Sequence, residues 1–140
     1  MKIYDGEGMI LGRLGSVIAK QLLLGETIKV INCEKVIVSG RKKVILTENK
    51  ERRARKGYPL KSAKLSRLPE RYVRHSIRGM LPWKKARGKE AFKRVMCYQG
   101  VPEEYASKEA LKVENAQFKK LPTLYYTTVS EICKNSGAKQ

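Results

Sequence analysis

Five cations, two glycines and the only tryptophan of the chain fall within twelve residues, Arg78-Gly79-Met80-Leu81-Pro82-Trp83-Lys84-Lys85-Ala86-Arg87-Gly88-Lys89. Residues of these types suit phosphate recognition. Lysine and arginine displace the counterions of a nucleic-acid backbone, and glycine lets main-chain amides come close to phosphate oxygens. Gly79 and Gly88 fit that role or that of plain helix ends. Trp83 fits stacking on an unpaired base or packing into the protein.

The same chemistry extends well upstream. Residues 41–94 hold 20 Lys and Arg against 4 Asp and Glu, a net of +16, whereas the remainder of the chain nets only +2 of the total of +18. An ordinary solvated face mixes signs, because unbalanced charge repels itself and opposes folding. An excess confined to one segment therefore points to a polyanionic partner. The candidate RNA-binding residues are Arg52, Arg53, Arg55 and Lys56, then Lys61, Lys64 and Arg67, then Arg71, Arg74, His75 and Arg78. Gly79, Trp83, Lys84, Lys85, Arg87, Gly88 and Lys89 complete the set. No helix-turn-helix, zinc-finger or basic-zipper pattern is present, and the cations are spread over helix, loop and turn. Folded RNA suits that dispersion better than one DNA groove.

Other chemistries are poorly supplied. His75 is the single histidine, and its cationic surroundings favour phosphate contact over general-base work. Cys33, Cys97 and Cys133 are odd in number and far apart, with no Cys-x-x-Cys pair. They read as buried thiols of a reducing compartment, and four zinc ligands cannot be assembled. No metal, cofactor or small-molecule substrate is expected. No apolar run approaches the ~20 residues of a membrane span, so a cytosolic protein without membrane contact is expected. One alternative remains in another class. Gly6-x-Gly8-x-x-x-Gly12 lies between a strand and a helix, with Glu34 after the next strand. That resembles a dinucleotide fingerprint of a small nucleotide-binding enzyme, but a usual third glycine would fall at Leu11.

The elements that must position these residues follow from periodicity. Lys2-Ile3-Tyr4 is a strand, and Leu11, Leu14, Val17, Ile18 and Leu22 mark a helix from Leu11 to Leu24 that Gly25 stops. Strands follow at 27–31 and 36–38, which suggests a parallel βαβ unit. Residues 41–56 form a polar helix supported by Glu48–Arg52 and Glu51–Arg55 pairs, and 57–69 an extended loop. Pro69 opens a helix to Arg78, with Arg71, Arg74, His75 and Arg78 on one side and Val73 and Ile77 on the other. A helix over 87–94 has Ala91, Phe92 and Val95 as its apolar side, a strand covers 95–98, and a last helix spans 125–134. One domain over 1–140 is expected. It is α/β, three-layer α/β/α, with a small, mainly parallel four-stranded sheet and a basic helix-loop insert. Residues 106–140 form a C-terminal tail and helix.

Three stretches carry a family resemblance. Gly79-Met80-Leu81-Pro82, Gly88 and Arg94-Val95-x-x-Tyr98-x-Gly100 resemble the signature of the universal L-thirteen family of large-subunit ribosomal proteins. Leu11-Gly12-Arg13-Leu14 is similar to the start of its first helix, and residues 32–40 to its second-strand region. The resemblance runs in register from Lys2 to Tyr105. The basic 41–56 segment and Trp83-Lys84-Lys85 look like the archaeal and eukaryotic cytosolic branch. The resemblance implies a three-layer α/β/α domain in the cytoplasmic ribosome. It implies large-subunit ribosomal RNA and neighbouring ribosomal proteins as partners, with a role in subunit assembly.

Overall fold

In the computed structural model the described residues are 1–57, 61–62 and 66–138, with side chains described outside 56–65. Strand β1 (Lys2–Asp5) leads through a glycine turn into helix α1 (Leu11–Leu23). The buried face of α1 is Leu11, Leu14, Gly15, Ile18, Ala19 and Leu22, the expected three-to-four spacing. Gly25 ends it in a left-handed turn at φ 98°. Strand β2 (Ile28–Ile31) then lies parallel to β1.

The expected fourth strand of that sheet is absent among the described residues. After β2 the chain turns through Asn32, at φ 54°, and a short 3-10 turn at Cys33–Lys35. Strand β3 (Ile37–Ser39) emerges outside the parallel sheet. The reason is reach. A parallel crossover takes a dozen or more residues, and only 32–36 separate these two strands. The main sheet is thus three-stranded.

Helix α2 (Lys42–Ala54) has Asn49 as its only buried residue. Polar contacts hold it in place. Ser136 Oγ donates to Asn49 Oδ1 (3.2 Å), and Arg53 Nη2 donates to the Ser66 carbonyl (2.7 Å). The expected Glu48–Arg52 and Glu51–Arg55 pairs do not close within salt-bridge distance, consistent with the few tenths of a kcal/mol, ~0.2–0.5, that such exposed pairs supply. The segment expected as a loop includes a two-rung antiparallel ladder, β4 (Lys56–Gly57) with β5 (Lys61–Ser62).

Helix α3 (Pro69–Gly79) begins at its proline, whose missing N–H costs nothing in a first turn. Helix α4 (Ala86–Lys93) and strand β6 (Val95–Cys97) follow, and β6 completes the parallel sheet in the order β1-β2-β6. Helices α1, α3 and α4 cover one sheet face. Tyr4, Ile28, Val30, Val95 and Cys97 meet Leu14, Ile18, Val73, Ile77 and Ala91 there. On the other face Ile3 and Ile31 pack with Tyr105, from the short helix α5 (Glu103–Ala106). The layering is α/β/α, with a thin third layer.

The tail was expected as one helix from 125. Instead strand β7 (Tyr126–Thr128) pairs antiparallel with β3, and helix α6 (Val129–Asn135) starts only after it. Thr128 decides the boundary. Its hydroxyl accepts from the Glu131 amide (3.3 Å), while Glu131 Oε2 accepts from the Thr128 amide (3.4 Å), a complete capping box. Lys42 Nζ also reaches Glu131 (2.7 Å), and the lysine holds that carboxyl below its usual range. Thr128→Ala should therefore lower stability by about 1 kcal/mol, seen as a fall of about 3 °C in melting temperature by circular dichroism.

Candidate nucleic-acid interface

Helix α3 divides sharply around its axis. Val73 and Ile77 are wholly buried in the core. One turn away, Arg71, Arg74, His75 and Arg78 line an open cavity of about 710 Å³ together with Ser66, Arg67, Leu68 and Phe92. The expected helical sidedness is therefore realised, and the basic segment is anchored in the core by its own apolar face.

Aromatic rings tie the cavity to the following turn. The Arg74 guanidinium lies 4.6 Å from the centroid of Phe92, and Arg78 lies 5.1 Å from that of Trp83. Trp83 meets Phe92 edge-on at 5.2 Å. Trp83 is 39% exposed, so it lies at the rim and not in the core. Phe92, expected on the apolar side of α4, packs partly buried against the core and also forms the cavity wall.

A second, smaller cavity continues the surface toward α2, lined by Asn49, Arg52, Ser66, Tyr72, His75 and Ser76. His75 borders both. Burial, and then the nearby Arg78 charge, push its imidazole below the usual histidine range. Lys84, Lys85, Arg87 and Lys89 are all exposed beyond Trp83, and Arg55 is exposed at the end of α2. The side chains of Lys56 and Lys61, and the whole of Lys64, lie outside the described residues.

Among the described residues the salt bridges join Lys2–Glu26, Lys35–Glu7, Lys42–Glu131 and Lys112–Asp5, and none of them includes a described cation between Lys43 and Arg94. The Arg74 Nε is buried without a hydrogen-bond partner. Such an array is stable only where its charges stay hydrated or meet an anion.

Two of the expected contact residues have structural duties. Arg53 Nε donates to Asn49 Oδ1 (3.2 Å) in addition to its bond to Ser66, so Arg53 straps α2 to the start of α3. Gly88 is neither a phosphate cradle nor a helix end. It is buried inside α4, and a Cβ there would stand 2.2 Å from the Pro82 carbonyl oxygen. The glycine lets α4 dock on the Pro82–Trp83 peptide and so fixes Trp83. Gly79 does end α3, and its missing side chain faces open space.

In the glycine turn the amides of residues 6–10 are already engaged within the protein. The Gly6 amide donates to the Ile31 carbonyl (2.9 Å), that of Gly8 to Lys35 (3.4 Å) and that of Ile10 to Ala116 (2.7 Å). A Cβ on Gly6 would lie 2.7 Å from the Val36 side chain, and Gly8 has φ 68°. Glu34 Oε2 accepts from the Gly100 amide (2.9 Å), which occupies the carboxylate a ribose would need. The tail lies across the turn, with Arg13 Nη1 donating to the Asn115 (3.1 Å) and Lys120 (3.2 Å) carbonyls. The three cysteines are buried and free. Burial raises the Cys133 thiol to about 11, and a hydrogen bond with Cys97, together with burial, raises Cys33. None of them is a ready nucleophile. No cluster of metal-ligating side chains occurs among the described residues, nor any helix long and apolar enough to cross a membrane.

An α/β scaffold that turns one uncompensated cationic, aromatic-edged face outward defines a polyanion-binding protein. Comparison with known proteins is specific. The family profile described as Ribosomal protein L13 matches residues 1–104. "Large ribosomal subunit protein uL13" of Archaeoglobus fulgidus is 42% identical over 136 residues, covering 96% of this chain and 86% of the relative. The protein of the same description from Methanocaldococcus jannaschii is 42% identical over 142 residues, covering 99% of each chain. That of Methanopyrus kandleri is 42% identical over 137 residues, covering 96% and 86%. The chain belongs to the ribosomal protein L13 family and groups with its archaeal members.

Two outcomes follow from the site. Gly88→Ala should cost about 1–3 kcal/mol, because the new methyl meets backbone that cannot swing away. Its measure is the midpoint of urea unfolding, and an unchanged midpoint would contradict the packing role. His75 should report anion binding. Its folded pKa is depressed, so the unfolded state holds more protons and the histidine's contribution to stability falls as pH drops below about 6.5. A docked phosphate favours imidazolium. RNA affinity should therefore rise through the same acid window, and His75→Gln should remove the rise in a filter-binding series.

Proposed function

We propose that this protein is a structural constituent of the large ribosomal subunit that grips large-subunit ribosomal RNA with the face built by α3, the 79–85 turn and the exposed side of α4. Membership in the ribosomal protein L13 family supplies the setting, and the relatives it matches along nearly their whole length are large-subunit proteins. The single observation that carries the choice of face is the convergence of Arg67, Arg71, Arg74, His75 and Arg78 on one cavity with no acid paired to them.

The division of labour is physical. Arg71, Arg74 and Arg78 project from a helix fixed by two core residues, so their charges are held in position before RNA arrives. Pre-positioned donors lose less freedom on binding. Lys84, Lys85, Arg87 and Lys89 extend the contact as exposed point charges along a backbone track. Arg52 and Arg55 continue it on α2. Lys56, Lys61 and Lys64 stay in this reading as further contacts on charge alone. Arg53 and Gly88 act from behind, as strap and spacer. The protein thereby supports assembly of the subunit, by fixing RNA segments that meet different edges of the same rigid face. Neighbouring ribosomal proteins complete its surroundings, and no catalytic role is proposed.

The readout is salt dependence. A Lys84→Ala, Lys85→Ala, Arg87→Ala variant should shallow the slope of log affinity against log salt by about 2–3 units, at ~0.7–0.9 per phosphate contact. Its melting temperature should hardly move, because exposed charges contribute little to folding. Lys20→Glu, on the exposed side of α1, should leave both quantities unchanged. A slope equally affected by Lys20→Glu would mean that diffuse charge, and not this face, does the binding.

A further inference from the structure

We infer that the cavity between α3 and α4 receives a single unpaired nucleotide extruded from the RNA, and does not merely border a duplex. The inference rests on the RNA-binding reading of this face and specifies what enters it.

The lining has two chemistries. Arg67, Arg71, Arg74 and Arg78 supply cationic donors and His75 an imidazole, while Leu68 and Phe92 supply an apolar wall. Phosphate alone has no use for the wall, and an apolar ligand has no use for four arginines. A nucleotide has a matching anion and a flat ring with an apolar face. At about 710 Å³ the cavity lies within the ~300–1,000 Å³ range of small-ligand sites. The phosphate ridge of an A-form duplex is convex and would meet only its rim.

Arg74 is the stacking element. Its guanidinium carbon lies over the Phe92 ring, 4.6 Å from the centroid, so the group is already held against an aromatic wall. Arginine planes stack on unpaired bases as aromatic rings do, and Phe92 is the one ring recorded against Arg74 among the described residues. Arg71 and Arg78 stand one turn to either side on the same helix face and take the flanking phosphate charge. The Trp83–Phe92 contact at 5.2 Å braces the wall from behind.

Adenosine monophosphate and ribose 5-phosphate test this directly, since they carry the same phosphate charge and differ in the base. Trp83, the only tryptophan, reports occupancy by fluorescence from its contacts with Arg78 and Phe92. The folded full-length protein should bind adenosine monophosphate at least about fivefold more tightly than ribose 5-phosphate, the lower end of what base stacking contributes. Arg74→Lys keeps the charge and loses the guanidinium plane. It should erase that preference while ribose 5-phosphate still binds as before. Equal affinities of the wild type for the two ligands overturn the proposal, leaving a site for phosphate only. So does binding of neither ligand while an in-vitro transcript of large-subunit RNA still binds with its full salt slope. If the transcript also fails to bind, the underlying RNA reading fails with it.

Discussion

Everything functional here depends on the packing of α3. A segment with a net charge of +16 repels itself, and nothing in its charge pattern makes it fold. Val73 and Ile77 resolve this by burying completely against α1 and the sheet, which removes apolar area from water at roughly 25 cal/mol per Å². Two side chains on one stripe thus hold three arginines and a histidine on the opposite one. The repulsion among them remains as potential directed outward. A polyanion relieves it on binding.

The second constraint is the cover over the α1 turn. In an α/β protein of this order the crevice at the strand ends, beside the first helix, is the usual place for a ligand. Here the stretch 111–120 fills it. Leu111 bonds along β1, Ala116 accepts from Ile10, and the Phe118 amide donates to the Gly8 carbonyl at 2.9 Å. That crevice is given to internal bracing. The cationic cavity lies on the outward side of α3. A site on rigid helices suits a protein whose task is to hold another molecule's shape.

Legibility varied with how local the cause was. The apolar stripes of α1 and α3 repeat every three to four residues, and the cationic face follows from the same arithmetic, so Arg71, Arg74, His75 and Arg78 could be grouped without coordinates. The partner of β3 could not be. Val36 to Val38 look like any buried strand, and their mate, Tyr126 to Thr128, lies some ninety residues on in a stretch whose helix-like spacing hides a strand. The capping box that separates strand from helix was present as Thr128 and Glu131, three apart, and was legible in principle. The packing role of Gly88 was not legible, because phosphate approach and backbone approach demand the same missing side chain.

Composition and spacing by themselves determined that this chain suits a polyanionic partner, that its excess charge is concentrated in the middle, and that the scaffold mixes helices with parallel strands. Those properties depend on charge count and on periodicity within single elements. Tertiary structure alone decided that Arg67 and Phe92 join the α3 cations in one cavity, that Trp83 sits near its rim, that Arg53 bonds Asn49 and Ser66, and that Gly88 packs on the Pro82 carbonyl. Each of those facts depends on where one element docks on another. Docking is set by the summed fit of many weak contacts between residues distant in sequence, and no window of the chain contains that sum.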